Sequence, residues 1–168
     1  MSKQLDEEEI ARLEEEGDLA ADYLEELLDI CDLDGDIEID IDNGRALVEL
    51  VSEDNPYALE TLIGKDGQVL DALQELMRLS VQISTGERSR LMLDIANFRK
   101  NRRNELSKIA DEAVTAVLAK GEPIQLPPMN PFERKICHDV VSSAGLVSNS
   151  DGIEPNRYVV VYPANTEI

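Results

Sequence analysis

Hydrophobic and polar residues in the first half of the chain follow first a helical period and then a strand period. From Asp18 to Cys31 apolar residues recur three and four positions apart, with acids between them, which predicts an amphipathic helix. Its apolar residues are Ala20, Tyr23, Leu24, Leu27, Leu28 and Cys31. Isoleucine then alternates with acids over 37–41, and a second alternating run over 45–51 follows Asn43-Gly44. This order predicts two strands joined by a tight hairpin.

A helical pattern returns after Pro56. It predicts a short helix over 58–63, the four-residue loop Gly64-Lys65-Asp66-Gly67, and a longer helix from about Gln68 to Ile83. The buried side of the longer helix is expected to hold Val69, Leu73, Leu76 and Met77. The alternation of Leu91, Leu93 and Ile95 predicts a third strand.

The pattern over residues 97–168 predicts two helices and a strand. A long helix is expected over 97–120, and the residues of its apolar stripe are Leu106, Ala110, Ala113 and Val117. An extended connector with three prolines follows over 121–129. Asn130, Pro131 and Glu133 form the signature of a helix N-terminus, so a helix is expected over 131–144. A polar stretch then leads into a final strand over 158–162.

Together these patterns predict an α+β protein with two modules. Residues 18–96 should form a three-stranded sheet backed by helices, and residues 97–168 a smaller α/β domain whose first helix follows directly from the last strand of the sheet. Residues 1–17 are dominated by acids and are expected to be a flexible leader.

Charge is distributed very unevenly along the chain. The net charge is −20, which by itself opposes binding to a polyanion. However, residues 1–43 hold 18 acids and 2 bases, whereas residues 44–168 hold 18 acids and 14 bases. The acidic balance therefore describes the N-terminal segment more than any binding surface in the rest of the chain.

Several classes of protein are disfavoured. No apolar run approaches the roughly 18 residues of a membrane span, and the start MSKQLDEEEI lacks the order of a secretory signal, so a cytoplasmic location is expected. Cys31 and Cys137 are too few for a disulfide framework. His138 is the sole histidine and lies about 100° around the predicted helix from Cys137, a poor nucleophile–base arrangement. We therefore expect no catalytic residue, no cofactor and no metal site.

The loop Gly64-Lys65-Asp66-Gly67 is the first candidate binding site. Two glycines let a phosphate approach main-chain N–H groups, and the following helix adds further donors at the positive end of its dipole. In its setting of strands and helices the loop resembles the GxxG loop of a KH domain of the prokaryotic type, over about residues 18–96. That resemblance implies a clamp for about four nucleotides. Asp66 departs from the favourable basic residue, and the alternative is a simple corner between two helices.

A basic cluster, Arg99, Lys100, Arg102 and Arg103, begins the long helix and is the second candidate. Cations at a helix N-terminus oppose the helix dipole, so their presence suggests a functional contact with a nucleic-acid backbone. The alternative is that these bases pair with the acidic N-terminal segment.

Arg134 and His138 lie four residues apart on the last predicted helix and therefore share one face. An arginine is a constant, forked phosphate donor, and histidine can add a hydrogen bond or a charge. The flanking segments, PPMNPFER before the pair and SDGIEPNRYVVV after it, resemble the second domain of the bacterial Jag family. That domain is known for its Arg-x-x-x-His motif, and in the family it follows a KH domain.

The resemblance to the Jag family spans roughly residues 18–162. It implies single-stranded RNA as the partner, Arg134 and His138 on the nucleic-acid face, Arg157 as a third cationic contact, and a regulatory role in growth and division of the cell envelope. It also implies a short form without the extra N-terminal domain of many members. Two alternatives stay open: an adaptor whose acidic surface binds a basic protein, and a general binder of single strands that include DNA.

Overall fold

The computed structural model describes residues 5–166, which fold into two compact units, Met1–Arg99 and Lys100–Ile168. The division falls in the first turn of a long helix that begins at Phe98. Each unit has its own cluster of buried apolar side chains.

The described part of the first unit contains a sheet of three strands, three α-helices, and two 3₁₀ helices at Pro56–Leu59 and Lys65–Gly67. The helices are α1 (Glu7–Cys31), α2 (Glu60–Ile63) and α3 (Gln68–Thr85), and the strands are β1 (Asp36–Asp42), β2 (Arg45–Val51) and β3 (Met92–Ile95). The strand order is β1-β2-β3. β1 and β2 are antiparallel and meet at the predicted Asn43-Gly44 turn, whereas β2 and β3 are parallel.

Helix α1 begins about ten residues earlier than the sequence analysis predicts. Asp6 and Glu9 form a reciprocal capping box, and the acids of the first turn are favourable at the positive end of a helix dipole. Leu13 and Gly17 are buried. Residues 7–17, predicted as part of an acidic leader, are therefore helical in the structure, while residues 1–4 lie outside the described residues.

The core of the first unit lies between one face of the sheet and the helices. Ala46, Val48 and Leu50 of β2 are fully buried, as the predicted alternation requires, and so are Leu93 and Ile95 of β3. Strand β1 is only half covered, because Ile39 stays 40% exposed.

The buried face of α3 is rotated from the predicted one. Leu73 and Met77 are buried as expected, but Val69 and Leu76 are exposed. The buried positions are Leu70, Leu73, Gln74, Met77 and Val81. The prediction failed because apolar residues occur on both faces of this helix. In α1, similarly, Cys31 is exposed rather than part of the core.

The second unit contains two long helices and a second small sheet. The helices are α4 (Phe98–Lys120) and α5 (Pro131–Ser143), and the strands are β4 (Ile124–Gln125), β5 (Val147–Asp151) and β6 (Tyr158–Tyr162). The order of the antiparallel sheet is β4-β6-β5, so the apolar β6 is central. Strands β4 and β5 were not predicted, since one has two residues and the other is mostly polar.

Helix α5 has the predicted start, because Asn130 and Glu133 form a capping box and Pro131 opens the helix. Its apolar residues pack on the predicted stripe of α4, which is buried at Leu106, Ala110, Ala113 and Val117. Within the described range 5–166, no helix has the length and apolar character needed to cross a bilayer.

Candidate nucleic-acid interface

The Gly64–Gly67 loop has an unusual backbone. Gly64, Asp66 and Gly67 all have positive φ, at 71°, 53° and 79°. A Cβ added at Gly64 would overlap Val69 Cγ2, and one at Gly67 would meet Phe98 Cε1 at 2.7 Å. Both glycines are thus required by the packing of the chain itself, whatever approaches the loop from solvent.

Lys65 and Asp66 form the solvent-exposed tip of the loop, whereas Gly67 is buried. Helix α3 begins at Gln68, immediately after the loop. The N–H of Gln68 donates to Lys65 O, so the attraction for an anion comes from the positive end of the α3 dipole and from the Lys65 ammonium. The Asp66 carboxylate opposes the binding of an anion at this place.

Arg99 does not stand free on the surface. Its Nη2 lies 2.9 Å from Asp71 Oδ1, its Nε donates to Leu93 O, and its main-chain N–H donates to Asp94 Oδ1. These contacts fix the start of α4 to strand β3 after two residues of positive φ, Ala96 and Asn97. Arg99 therefore acts first as a structural residue of the first unit.

Arg102 is likewise occupied by carboxylates of its own unit. Its Nε lies 2.8 Å from Glu133 Oε1, and its Nη1 lies 2.8 Å from Glu105 Oε2. The hydrogen bonds with Glu133 and then Glu105 raise the pKa of Arg102 above its ordinary value. The predicted basic cluster is thus not one open patch, and the carboxylates that neutralise Arg99 and Arg102 belong to Asp71, Glu105 and Glu133 rather than to the acidic N-terminal segment, residues 1–43.

Arg103 differs from Arg99 and Arg102. Arg103 and Lys100 are exposed, and Arg103 has no carboxylate within 4.0 Å among residues 5–166. Of the four predicted contacts, Arg103 is therefore the one best placed to meet a ligand.

Arg134 is buried, with only 6% of its surface exposed. Its Nη1 donates to Met129 O in the connector at 2.9 Å, and its Nη2 pairs with Glu154 Oε1 at 2.8 Å. The side chain thus ties α5 to the connector before it and to the loop between β5 and β6. The sequence predicts Arg134 as an exposed phosphate donor. In the structure the side chain is buried, and one of its guanidinium nitrogens is already paired with the Glu154 carboxylate.

His138 lies one turn after Arg134 and faces strand β5. Its Nδ1 is 2.6 Å from Ser148 Oγ, and its Nε2 is 2.8 Å from Ser150 Oγ. Burial lowers the pKa of His138, the charges of Arg134 and Arg157 lower it further, and Asp139 acts in the opposite sense. The ring is consequently neutral at pH 7, donating through one nitrogen and accepting through the other.

Arg157 approaches the same place from the segment before β6. Its Nη2 reaches Ser150 O at 3.4 Å, and its Nε is buried without a hydrogen-bond partner in the part of the chain that the structure describes. Three nitrogen-rich side chains, Arg134, His138 and Arg157, therefore converge, and Glu154 supplies a carboxylate beside them. We call these three residues the C-terminal cluster.

The structure thus brings together three of the six sequence-predicted site residues of the second unit, Arg134, His138 and Arg157, and adds Ser148, Ser150 and Glu154. The signal that could have found the two serines is their spacing, since residues two apart on a strand share a face. It was missed because the segment reads as a polar loop. The Gly64–Gly67 loop belongs to the other unit, where Phe98 contacts it.

Cys137 has no place in this site. It is fully buried, its Sγ lies 3.6 Å from Met129 Sδ, and burial raises the pKa of its thiol above the ordinary value. A protonated thiol in an apolar core is a packing residue rather than a nucleophile.

Comparison with known proteins finds relatives along most of the chain. It is 32% identical over 145 residues to the RNA-binding protein KhpB of Clostridium symbiosum, a match that covers 86% of this chain and 64% of that protein. It is 37% identical over 103 residues to the RNA-binding protein KhpB of Bacillus subtilis, covering 60% and 50% of the two chains. For the RNA-binding protein KhpB of Streptococcus pneumoniae the identity is 31% over 140 residues, covering 83% and 42%.

The chain therefore spans between 42% and 64% of the length of these three relatives. A family match is found within the second unit, where residues 104–163 correspond to the R-three-H domain, which we write as the Arg-x-x-x-His domain. The matched segment includes Arg134, His138 and Arg157, which the structure clusters at one place. The second unit of the chain carries an Arg-x-x-x-His domain.

Proposed function

We propose that this chain is a single-stranded RNA-binding protein that holds the phosphate backbone at two places. One is the C-terminal cluster in the Arg-x-x-x-His domain. The other is the Gly64–Gly67 loop, in a first unit that we propose to be a KH domain of the prokaryotic type. The name of the relatives, RNA-binding protein, supports the proposed partner.

The observation that carries the proposal is the excess of donors over acceptors at the C-terminal cluster. Arg134 and Arg157 bring two guanidinium groups, yet their one carboxylate partner among the described residues is Glu154, whose side chain is 51% exposed. Within the same residues the buried Nε of Arg157 has no acceptor. A buried donor without a partner is costly, by about 1–3 kcal/mol, and a phosphate oxygen would supply the missing acceptor.

The charge of the second unit also supports an anionic partner. Residues 100–168 hold 8 bases and 9 acids, a net charge of −1, whereas residues 1–99 hold 8 bases and 27 acids, a net charge of −19. At a Debye length of about 8 Å, the acids of the chain act mainly on their own neighbourhoods. A nearly neutral domain with clustered arginines can therefore bind phosphate despite the charge of the whole chain.

In the first unit the proposal depends on the order of elements and on the loop. Helix α1, the β1–β2 hairpin, the two helices around Gly64–Gly67 and the parallel strand β3 follow the order expected for a prokaryotic-type KH domain. Lys65 places a positive charge at the exposed tip of the loop, and the neighbouring Asp66 carboxylate weakens its attraction for phosphate. We expect modest affinity and little sequence preference, and therefore comparable binding of single-stranded DNA, since few aromatic side chains are available for stacking.

A titration with a labelled 12-nucleotide single-stranded RNA at two salt concentrations tests the proposal. Lys65→Ser should weaken binding and Asp66→Asn should strengthen it, each by roughly threefold, because both residues are exposed and neither substitution disturbs the packing of the glycines. Arg157→Ser should weaken binding by about tenfold. Lys120→Ser, which removes an exposed charge at the end of α4, is the control. Equal affinities in all five proteins would reject both sites.

An adaptor that binds a basic protein is the second candidate, and helix α1 favours it. The helix holds 11 acids and a single arginine, and Glu16 is the one acid that is buried. Reversing four exposed acids, Glu14, Glu15, Asp22 and Glu26, to lysine would abolish partner binding by an adaptor. If the chain binds RNA as proposed, the same change does not weaken RNA binding, because these acids belong to neither proposed site.

We further propose that the chain acts as a post-transcriptional regulator or RNA chaperone, a role that depends on the proposed binding. Crosslinking in cells, followed by sequencing of the bound RNA, is the corresponding test. Recovery of a reproducible set of transcripts with the wild-type chain, and its loss with Arg157→Ser, is the expected result. Recovery of the same set with both proteins would contradict the role of the C-terminal cluster.

A further inference from the structure

We propose that the first unit holds a third phosphate-binding site, in a groove lined by four arginines. This arginine groove is formed by Arg45, Arg78, Arg88 and Arg90 and has a volume of about 520 Å³. The inference rests on the proposed function, since it names the phosphate groups of an RNA backbone as the occupant.

The four arginines come from three separate segments. Arg45 is the first residue of β2, Arg78 lies on α3, and Arg88 and Arg90 lie in the connection from α3 to β3. Strands β2 and β3 are parallel with Leu47 opposite Met92, so the same register extended by two residues places Arg90 beside Arg45. Side chains distant in sequence are thus gathered at the end of the sheet where β2 and β3 begin.

Arg78 forms the fixed wall of the groove. Its Nε donates to Leu91 O at 2.8 Å, and its Nη1 pairs with Glu75 Oε1 at 2.7 Å. Of its side chain 24% is exposed. Arg78 is therefore held in place and already has a counter-charge.

The other three arginines of the groove have no such counter-charge. Within residues 5–166, Arg45, Arg88 and Arg90 have no carboxylate within 4.0 Å, and the contact described for Arg45 is with Met92 Sδ, at 4.0 Å. Asp42 is opposite Arg45 in the β1–β2 register, but both of its oxygens accept from Asn43 Nδ2.

Unpaired arginines are unexpected in this unit. Residues 1–99 hold 27 acids for 8 bases, so partners are abundant, and like charges brought side by side are destabilising. The guanidinium groups form a convergent set of forked donors, which suits phosphate oxygens. An anion in the groove would remove the repulsion.

This groove is separate from the Gly64–Gly67 loop. Arg78 follows Gly67 by eleven residues along α3, which corresponds to about 16 Å of helix rise. The groove therefore would extend the path of a bound strand beyond the loop rather than duplicate it. A free polyphosphate would satisfy the same donors, so the source of the phosphate has to be tested.

The test uses the full chain with Arg88→Ser and Arg90→Ser combined. Both side chains are exposed and hold no described hydrogen bond, so the fold should be retained. The control combines Lys108→Ser with Lys120→Ser, which removes the same charge from exposed positions of α4. Binding of the 12-nucleotide RNA is measured over a series of salt concentrations, and binding of inorganic tripolyphosphate is measured by calorimetry.

The expected result is about a tenfold loss of RNA affinity in the groove variant. In the same variant, the slope of log affinity against log salt should fall by roughly 1.4, which corresponds to two lost phosphate contacts on a single strand. The control should keep the wild-type slope. Equal slopes and affinities in both variants would overturn the groove as an RNA contact.

The tripolyphosphate titration tests phosphate binding by the groove independently of RNA binding by the chain. Tripolyphosphate binding that is lost in the groove variant, with RNA affinity unchanged, would assign the site to a free polyphosphate and overturn the RNA backbone as its source. If the wild-type chain bound no RNA at all, the proposed function would fail, and the tripolyphosphate result would still decide whether the groove binds phosphate. Equal tripolyphosphate binding by the groove variant and the control would overturn the site.

Discussion

Glu154 and Arg134 show how a single contact can set the affinity of the C-terminal cluster. The sequence presents Arg134 as a surface donor one helical turn from His138. In the structure its guanidinium is buried and shared between Met129 O and the Glu154 carboxylate. A phosphate that engages Arg134 must therefore displace an exposed carboxylate that already holds it.

Replacing Glu154 should strengthen RNA binding. Glu154→Gln removes the negative charge that competes with phosphate, and we expect the dissociation constant to fall by roughly three- to tenfold, as for the removal of a repulsive charge at close range. Fluorescence anisotropy with the 12-nucleotide RNA measures the effect. Glu122→Gln, an exposed acid between α4 and β4, is the matched control, and an equal change in both variants would show that only net charge matters.

His138 makes the stability of the chain depend on pH. Because burial and the neighbouring arginines lower its pKa, the folded chain binds fewer protons than the unfolded chain just below pH 6.5, the ordinary value. The free energy of unfolding is therefore expected to decrease as the pH falls through 6.5 toward the lowered pKa of His138 in the folded chain. Urea unfolding at several pH values should show a shallower decrease in His138→Gln. Parallel curves for the two proteins would contradict the lowered pKa.

At the scale of elements, local patterns predicted the structure wherever one face of an element is apolar. The β1–β2 hairpin, strand β3 and the capped start of α5 were predicted because alternation, Asn43-Gly44 and the Asn130–Glu133 pair are local signals. Strand β5 was missed, since its pairing with β6 stabilises a polar sequence that has no strand period of its own. The early start of α1 was missed because acids at a helix N-terminus resemble a disordered acidic tail in composition.

The predicted site residues could be picked out by identity but not by contact, and Ser148, Ser150 and Glu154 were not predicted at all. The loop glycines and the Arg134–His138 spacing are visible in the sequence. The neutralisation of Arg99 by Asp71 joins residues 28 positions apart, and that of Arg102 by Glu133 joins residues 31 apart. No local pattern carries such pairings, because they depend on how the elements pack.

The turn before α3 should be sensitive to any side chain at Gly67. Gly67→Ala adds a Cβ to a residue with a φ of 79° and places it 2.7 Å from the Phe98 ring. We expect the free energy of unfolding to decrease by about 2–4 kcal/mol, of which roughly 1–2 comes from the backbone. Urea denaturation measures it.

Gly86→Ala separates the two contributions to that loss. Gly86 has a φ of 77°, and nothing lies within 4 Å of the added Cβ, so this variant should lose only the backbone share. Equal losses in the two variants would show that Phe98 does not hold the loop.

At the scale of the whole molecule, the net charge of −20 conceals two units of different character. The second unit is nearly neutral, and the first carries almost all of the excess acid, much of it on α1. Most of the bases in the first unit are gathered at the loop and in the arginine groove rather than dispersed. An RNA strand should therefore bind at these basic clusters and not elsewhere, because the acidic remainder of the surface repels its phosphates.

The most direct test of the account is to map where RNA touches the chain. A single-stranded RNA that contains 4-thiouridine is crosslinked to the wild-type protein by ultraviolet light, and the modified peptides are identified by mass spectrometry. We predict crosslinks in the peptides that contain Gly64–Gly67, Arg134–His138 and Arg157, and fewer of them as salt is raised. Crosslinks confined to α1, or spread evenly over the chain without dependence on salt, would contradict the claim that these sites bind the phosphate backbone.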